Sequence, residues 1–203
     1  MTIPTLIEKY QKKVTVTKLQ KAYSSFNQGI INSMTENGPY SDWEKEEAIN
    51  PTEYFNKYIK PYFKGIELCN SYKNCGYNVY NPWKELSDKT CQWTLKTSGT
   101  RTLSKTSDNT VIFIPRNTSS IQPDGTEINA YVDYFFIDIN GPKNPNTIGK
   151  DVFVFRIDDK LGVKPYQNYE SDINNNCSST QSGYTCAAKI IRDGWEINDS
   201  YPW

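Results

Sequence analysis

The stretch that most constrains this chain is residues 3–34, IPTLIEKYQKKVTVTKLQKAYSSFNQGIINSM. Its apolar residues from Val16 onwards recur at steps of three or four, which is the spacing of one face of an α-helix. The next residues, Asn37, Gly38 and Pro39, are typical of a helix end. The spacing therefore predicts an amphipathic helix over residues 1–37, and some 30 residues of it would extend about 45 Å. Its apolar face consists of Val16, Leu19, Tyr23, Phe26, Ile30 and Met34.

Composition excludes several classes of function. Histidine is absent, so Ser-His-Asp and Cys-His active sites and histidine metal ligands are excluded. Lys plus Arg and Asp plus Glu both number 23, and the resulting net charge of zero argues against nucleic acid as the main partner. A hydrolase that uses only carboxylates is the enzyme class that remains, and no convincing acid pair stands out. We therefore predict that the chain is not an enzyme and that no nucleic acid binds.

Five cysteines occur, and none of them has the CxxC spacing of a zinc site or a thioredoxin-like motif. Disulfides are the better interpretation, and five reduced thiols in a cytosolic protein are the alternative. Cys177 and Cys186 enclose the polar loop SSTQSGYT, which a disulfide would order. Cys69 and Cys75 enclose NSYKN and make the simplest second pair. Cys91 is then left over, but it could instead pair with Cys69 or Cys75, and the sequence does not decide.

Residues 38–90 contain two helix-start signals followed by a loop. The first, SDWE at residues 41–44, has the spacing of a capping box and predicts a short helix to about residue 49. The second, NPTE at residues 50–53, combines an N-cap, a first-turn proline and a glutamate at the third position. It predicts a second short helix to about residue 64.

Residues 91–203 carry the strand patterns and the C-terminal loop, which are β-branched and aromatic runs separated by turn residues. The clearest strand is Asp151–Ile157, DVFVFRI, whose residues alternate in period two. With the helix, these runs predict an α+β fold in a single domain. The other predicted strands are Gln92–Thr97 and Arg101–Lys105, joined as a hairpin about Ser98 and Gly99, and then Asn109–Pro115, Ile128–Ile139 and Leu161–Tyr166.

The connection between the two best strands, DINGPKNPNTIGKD, offers side-chain oxygens from Asp138, Asn140 and Asp151. Calcium takes six to eight oxygen ligands, so these three residues are candidate calcium ligands. The alternative is a network of Asx turns, in which Asp138 and Asn140 bond backbone amides and Asp151 caps the next strand. We favour the Asx-turn network and expect that no cofactor is required.

The opening segment, IPTLIEKYQKKVTVTKLQKAYSSFNQGI, resembles the end of the N-terminal helix of type IV pilins and of the pseudopilins of type II secretion. The C-terminal part of the chain resembles the C-terminal half of the same family. The residues that carry this resemblance are DINGPKNPNTIGKDVFVFRI, CAAKIIRDGWEI and YPW. The resemblance implies a pilin-like fold, with a long N-terminal helix packed on an antiparallel sheet and a disulfide-closed C-terminal loop. It also implies that the sequence starts within the helix, after a hydrophobic half that spans the membrane. The alternative is a cytosolic protein that begins with an amphipathic helix.

The function that this resemblance implies is that of a structural subunit of a type IV pilus or a type II secretion pseudopilus. Its partners would be other subunits and the inner-membrane assembly platform. The full-length protein would lie in the inner membrane before assembly, with its soluble domain periplasmic or extracellular. The alternative is an extracellular adhesin or glycan-binding module, to which bound calcium would add stability. The residues assigned to the assembly helix are Val16, Leu19, Tyr23, Phe26 and Ile30.

Overall fold

The chain folds around one long helix, α1 (Ile3–Asn37), where the apolar spacing predicted it. The computed structural model describes residues 3–44, 49–97, 101–115, 117–121, 127–131, 134–166 and 170–203. Helix α1 ends where Gly38 takes a left-handed conformation with φ 79°, which suits a residue without a Cβ atom. Among the described residues, three short α-helices follow it: α2 (Pro51–Tyr54), α3 (Glu170–Asn176) and α4 (Cys186–Arg192).

The capping signal at residues 50–53 starts α2. The Asn50 side chain accepts hydrogen bonds of 3.0 Å from the backbone N–H groups of Thr52 and Glu53. The Glu53 carboxylate accepts a bond from the Asn50 N–H in return, which completes the capping box. The helix then continues as a π-helical turn (Phe55–Ile59) and a 3₁₀ turn (Lys60–Tyr62), so it is less regular than predicted.

The helix predicted from residue 41 does not form at its start. A 3₁₀ turn spans Tyr40–Asp42, and the backbone becomes extended at Trp43. The Trp43 ring stacks on Tyr58 with the ring centroids 4.6 Å apart, and it is buried. Packing of this large ring therefore overrides the local capping signal. Residues 45–48, where the rest of the predicted helix falls, lie outside the described part.

The described residues form eight strands. These are β1 (Ile66–Leu68), β2 (Arg101–Thr106), β3 (Val111–Pro115), β4 (Asn117–Ile121), β5 (Glu127–Tyr131), β6 (Tyr134–Asp138), β7 (Val152–Asp158) and β8 (Gly162–Pro165). Six of them form one antiparallel sheet in the order β1-β2-β3-β6-β7-β8, and β4 pairs with β5 separately. The architecture is therefore α+β, with a long N-terminal helix and a six-stranded antiparallel sheet.

Both faces of the large sheet are buried. Strand β7 alternates as predicted: Phe153 and Phe155 pack in the core on the α1 side of the sheet. Val152 and Val154 point to the opposite side, into a second core. Residues 69–95 close that second core with two tryptophans, a tyrosine, three cysteines and a leucine. The sheet is thus the middle layer of a three-layer arrangement.

The run Ile128–Ile139 was predicted as one strand, and this was wrong. It forms two strands, of which β5 pairs with β4 and β6 pairs with β3 and β7. Both parts are rich in residues that favour strands, so propensity indicates extended structure throughout the run. Propensity does not indicate where the chain changes its pairing partner.

The predicted hairpin of Gln92–Thr97 with Arg101–Lys105 is wrong in its first half. Strand β2 forms, but its neighbours are β1 and β3, and residues 92–97 form no strand. The Leu95 N–H instead donates to the Tyr80 carbonyl at 2.7 Å, so this segment is satisfied by the loop before it. Its predicted turn, at residues 98–99, lies outside the described part.

Candidate functional site

One face of α1 is bound to its own sheet. Phe26 is buried, and its ring centroid lies 4.6 Å from that of Phe135. Asn27 accepts a 2.7 Å hydrogen bond from the Val163 N–H, and the half-buried Tyr23 donates a 3.0 Å bond to the Val163 carbonyl. These bonds tie α1 to the edge strand β8. The predicted residues of this face that are buried are Val16, Leu19, Phe26 and Ile30.

A second apolar stripe runs along the N-terminal third of α1, and it is exposed. Its members are Ile3, Leu6, Ile7 and Tyr10, with exposed fractions of 76%, 60%, 52% and 68%. Their spacing of three, one and three is again that of one helix face. At about 100° per residue, this stripe is centred about 180° away from the sheet-facing stripe. The sheet of the same chain therefore cannot cover it.

The exposed end of α1 is also basic. Residues 1–21 contain five lysines and one glutamate, a net charge of +4, so the remaining residues carry −4 in a chain that is neutral overall. The one glutamate, Glu8, pairs with Lys12 at 2.6 Å in an i,i+4 contact. Lys21 pairs with Asp108 at 2.7 Å, and the other three lysines of this segment make no salt bridge within the described part of the chain.

Two disulfides close the loops that the cysteine spacing indicated. Cys69 is bonded to Cys75, and Cys177 is bonded to Cys186 at the start of α4. Cys91 is the free thiol, buried beside the Tyr184 hydroxyl at 3.7 Å. Burial raises the pKa of the Cys91 thiol, which keeps it protonated and unreactive at neutral pH.

The connection at residues 138–151 is built around two buried carboxylates. Asp138 is fully buried and accepts hydrogen bonds from the Tyr77 hydroxyl at 2.6 Å, the Trp83 indole at 3.1 Å and the Asn140 N–H at 3.2 Å. Burial raises the pKa of Asp138 well above its usual range, and the nearby charge of Asp151 raises it further. Asp138 therefore anchors the start of the connection to the second core.

Asp151 holds the other end of the same connection. Its carboxylate accepts hydrogen bonds from the backbone N–H groups of Asn146 at 2.8 Å and Thr147 at 2.6 Å. Burial raises the pKa of Asp151 to about 6, against the opposing effect of these bonds. The predicted residues Asp138, Asn140 and Asp151 are thus brought together in one loop.

The hydrogen bonds that these carboxylates accept fit an Asx-turn network better than a calcium site. The oxygens of Asp138 and Asp151 are turned towards N–H and O–H donors, whereas Ca²⁺ takes six to eight oxygen ligands that point towards the ion. Among the described residues, no group of three or more acidic, cysteine or histidine side chains is arranged to hold a metal ion. Calcium binding at this loop therefore stays the alternative hypothesis, and the geometry favours the Asx-turn network.

A family profile matches residues 5–203, which is nearly the whole chain. The chain belongs to the family of unknown function DUF6613. No curated protein and no solved structure matches this DUF6613 chain. Over the residues described, no helix combines the length and the apolar character that a membrane span requires.

The most informative surface of this DUF6613 protein was missed by the sequence reasoning. The spacing of Ile3, Leu6, Ile7 and Tyr10 is readable in the sequence, but it is offset by half a turn from the longer stripe that begins at Val16. The partners of Asp138 could not be found in this way, because Tyr77 and Trp83 lie 61 and 55 residues away.

Proposed function

We propose that this chain is a structural subunit of a filament of the type IV pilus or type II secretion pseudopilus kind, and that it assembles through α1. The observation that carries the proposal is the presence of two apolar stripes on opposite faces of that helix. One stripe is buried when the chain folds. The other, from Ile3 to Tyr10, is left exposed, and a neighbouring copy would cover it.

The exposed stripe is large enough to support association. Removal of one Ile or Leu side chain from water contributes about 1.5–3 kcal/mol, so Ile3, Leu6 and Ile7 together offer several kcal/mol. Part of this free energy offsets the translational and rotational freedom that the two copies lose when they associate. Stable association of many copies would therefore combine this stripe with further contacts along the helix.

Charge favours contact between different surfaces of successive copies. The +4 charge of residues 1–21 would repel the same segment of a second copy and attract the remainder of the chain, which carries −4. A contact between two different surfaces is heterologous, and its repetition generates an open filament when the rotation does not close a ring. This geometry is the one that a pilus-like assembly requires.

The disulfides support a location in the bacterial periplasm or outside the cell, because such compartments keep disulfides oxidised. In this proposal the full-length protein lies in the inner membrane before assembly, and its partners are other subunits and the assembly platform. The proposal gives the chain no catalytic role. A gene that encodes a short basic leader, a glycine cleavage point and about 20 apolar residues just before Ile3 supports it. A gene that starts at Met1 contradicts it.

The decisive experiment compares the same truncation on the two faces of α1. Leu6→Ala and Leu19→Ala are introduced separately into the full-length gene in the bacterium that carries it, and filaments are sheared from the cells. We expect Leu6→Ala to lower the filament yield while the free energy of unfolding of the domain is unchanged, because Leu6 is exposed. Leu19→Ala, at a fully buried site, should cost about 2–5 kcal/mol of that free energy.

A matched charge control uses Leu6→Glu and Gln11→Glu. Both substitutions add one carboxylate to the exposed end of the helix, but only Leu6 lies on the apolar stripe. We expect filaments to be lost with Leu6→Glu and retained with Gln11→Glu. Filament yields that are equal in the wild type and in Leu6→Glu would contradict the proposed assembly face.

A further inference from the structure

A cleft of about 440 Å³ lies between α1 and the connection at residues 138–151. Tyr10 and Lys18 line it from the helix, Asn140 and Lys150 line it from the connection, and Trp203 contributes a third wall. The volume is within the range of about 300–1,000 Å³ that small-molecule sites occupy. The cleft is therefore a candidate binding site, and Tyr10 is the one member of the exposed stripe that also lines it.

The walls of the cleft are held in place by contacts outside it. The connection is fixed at both ends by the hydrogen bonds of Asp138 and Asp151. The Tyr201 hydroxyl, which is buried, donates to the Gly149 carbonyl at 2.5 Å and so attaches the segment that carries Trp203 to the same connection. A preformed cleft of this kind loses little conformational freedom when a ligand enters.

The charge in the cleft favours an anionic ligand. Two lysines, Lys18 and Lys150, line the cleft, and within the described part of the chain neither of them makes a salt bridge. Asp151 also contributes to the lining, but both of its oxygens are held by backbone amides and it is 3% exposed. The side chains that line the cleft therefore include two cations and one carboxylate, and that carboxylate is already hydrogen-bonded.

The other residues that line the cleft restrict the chemical class of the anion that it can bind. Tyr10 and Trp203 supply apolar ring faces, and Asn140 and Asn144 supply amide groups that suit hydroxyls. The lining contains no arginine fork and no helix N-terminus, which are the usual devices for phosphate. We propose that the cleft binds a carboxylated sugar of the uronic acid class, with its carboxylate between Lys18 and Lys150 and its ring against Tyr10 or Trp203.

Calorimetric titration of the domain tests this proposal. The ligands are a trisaccharide of galacturonic acid, the neutral trisaccharide maltotriose and inorganic phosphate. We expect saturable binding of the acidic trisaccharide, binding of maltotriose that is at least about tenfold weaker, and no saturable binding of phosphate. Added salt should weaken the binding of the acidic trisaccharide, because the exposed Lys18 and the half-buried Lys150 supply the attraction.

Two variants and one control locate the site. Lys150→Gln and Trp203→Ala should each lower the affinity for the acidic trisaccharide about tenfold or more. The control is Lys143→Gln, at an exposed lysine of the same connection that does not line the cleft, and it should leave the affinity unchanged. The melting temperature of each variant confirms that it is folded. Absence of saturable binding up to about 10 mM, equal affinity in Lys150→Gln and wild type, or equally tight phosphate binding would each overturn the proposal. Leu6→Glu, which tests filament assembly, should leave sugar binding unchanged.

Discussion

The Tyr77 hydroxyl donates a 2.6 Å hydrogen bond to the Asp138 carboxylate, and both side chains are buried. The bond joins the segment that follows the disulfide-closed loop of residues 69–75 to the start of the 138–151 connection. It thus links the layer that covers the second core to the wall of the cleft.

Removal of this hydroxyl should destabilise the fold. Tyr77→Phe leaves the fully buried Asp138 carboxylate with one donor fewer, which costs about 1–3 kcal/mol. The measurement is the free energy of unfolding in urea. Tyr80→Phe is the matched control, because Tyr80 is 46% exposed and its hydroxyl has water available. Equal stability of Tyr77→Phe and the wild type would show that the bond does not anchor the connection.

The two buried carboxylates should make the fold more stable at mildly acidic pH than at neutral pH. The pKa values of Asp138 and Asp151 are raised in the folded state, so between about pH 4 and pH 6 the folded chain holds more protons than the unfolded chain. The stability that Asp151 contributes is fully present below its unfolded pKa and falls as the pH rises to about 6. For Asp151 the fall is about 3 kcal/mol.

Other carboxylates limit this gain at low pH. Hydrogen bonds from Lys21 and Lys164 lower the pKa values of Asp108 and Asp158, whose contribution is lost as the pH falls below about 4. The free energy of unfolding should therefore be greatest near pH 4–5. Urea titrations at pH 4.5, 6.0 and 7.5 measure it, and Asp151→Asn should reduce the slope. A stability that increases steadily from pH 4.5 to 7.5 would contradict this account.

Calcium should not stabilise the domain. The oxygens of Asp138 and Asp151 already accept hydrogen bonds, so a metal ion would have to displace those donors. We expect the melting temperature to be unchanged by Ca²⁺ at millimolar concentration, with Mg²⁺ as the control ion. A rise of several degrees with Ca²⁺ that is absent in Asp151→Asn would establish the metal site instead.

The C-terminal disulfide should contribute measurably to stability. Cys177 and Cys186 are nine residues apart, and closure of a ring of this size removes about 2.5–3 kcal/mol of unfolded-chain entropy. The double variant Cys177→Ser, Cys186→Ser should lose about this amount in urea titrations. Alkylation of the unreduced wild type in denaturant should label one thiol, at Cys91. Labelling at Cys69 or Cys75 would show a different pairing.

The sequence predicted those elements whose signal is local. The three-and-four spacing located α1, period-two alternation located β7, and the NPTE signal located the start of α2. It failed where distant residues decide the structure. Residues 92–97 bond to the loop before them, and the run from Ile128 divides between two sheets. Strand propensity is similar in all these segments, so it could not separate them.

The candidate site was predictable in part for the same reason. The residues Asp138, Asn140 and Asp151 were located from their oxygen-bearing side chains, but the donors that turn Asp138 into an anchor come from Tyr77 and Trp83. The cleft unites α1 with residues far along the chain, such as Lys150 and Trp203. No residue spacing within one helix or strand indicates that such distant residues lie close together in the fold.

If the face of α1 opposite the sheet packs against a neighbouring copy, in-cell cross-linking should capture that contact. Leu6→Cys places a thiol on the exposed stripe, and Glu8→Cys places one on an exposed position about 160° around the helix from Leu6. Each variant of the full-length protein is oxidised in cells that assemble filaments, and cross-linked dimers are quantified. We predict several-fold more dimer with Leu6→Cys than with Glu8→Cys. Equal amounts of cross-linked dimer from the two positions, or no dimer from position 6, would show that this face of α1 does not pack against a neighbouring copy.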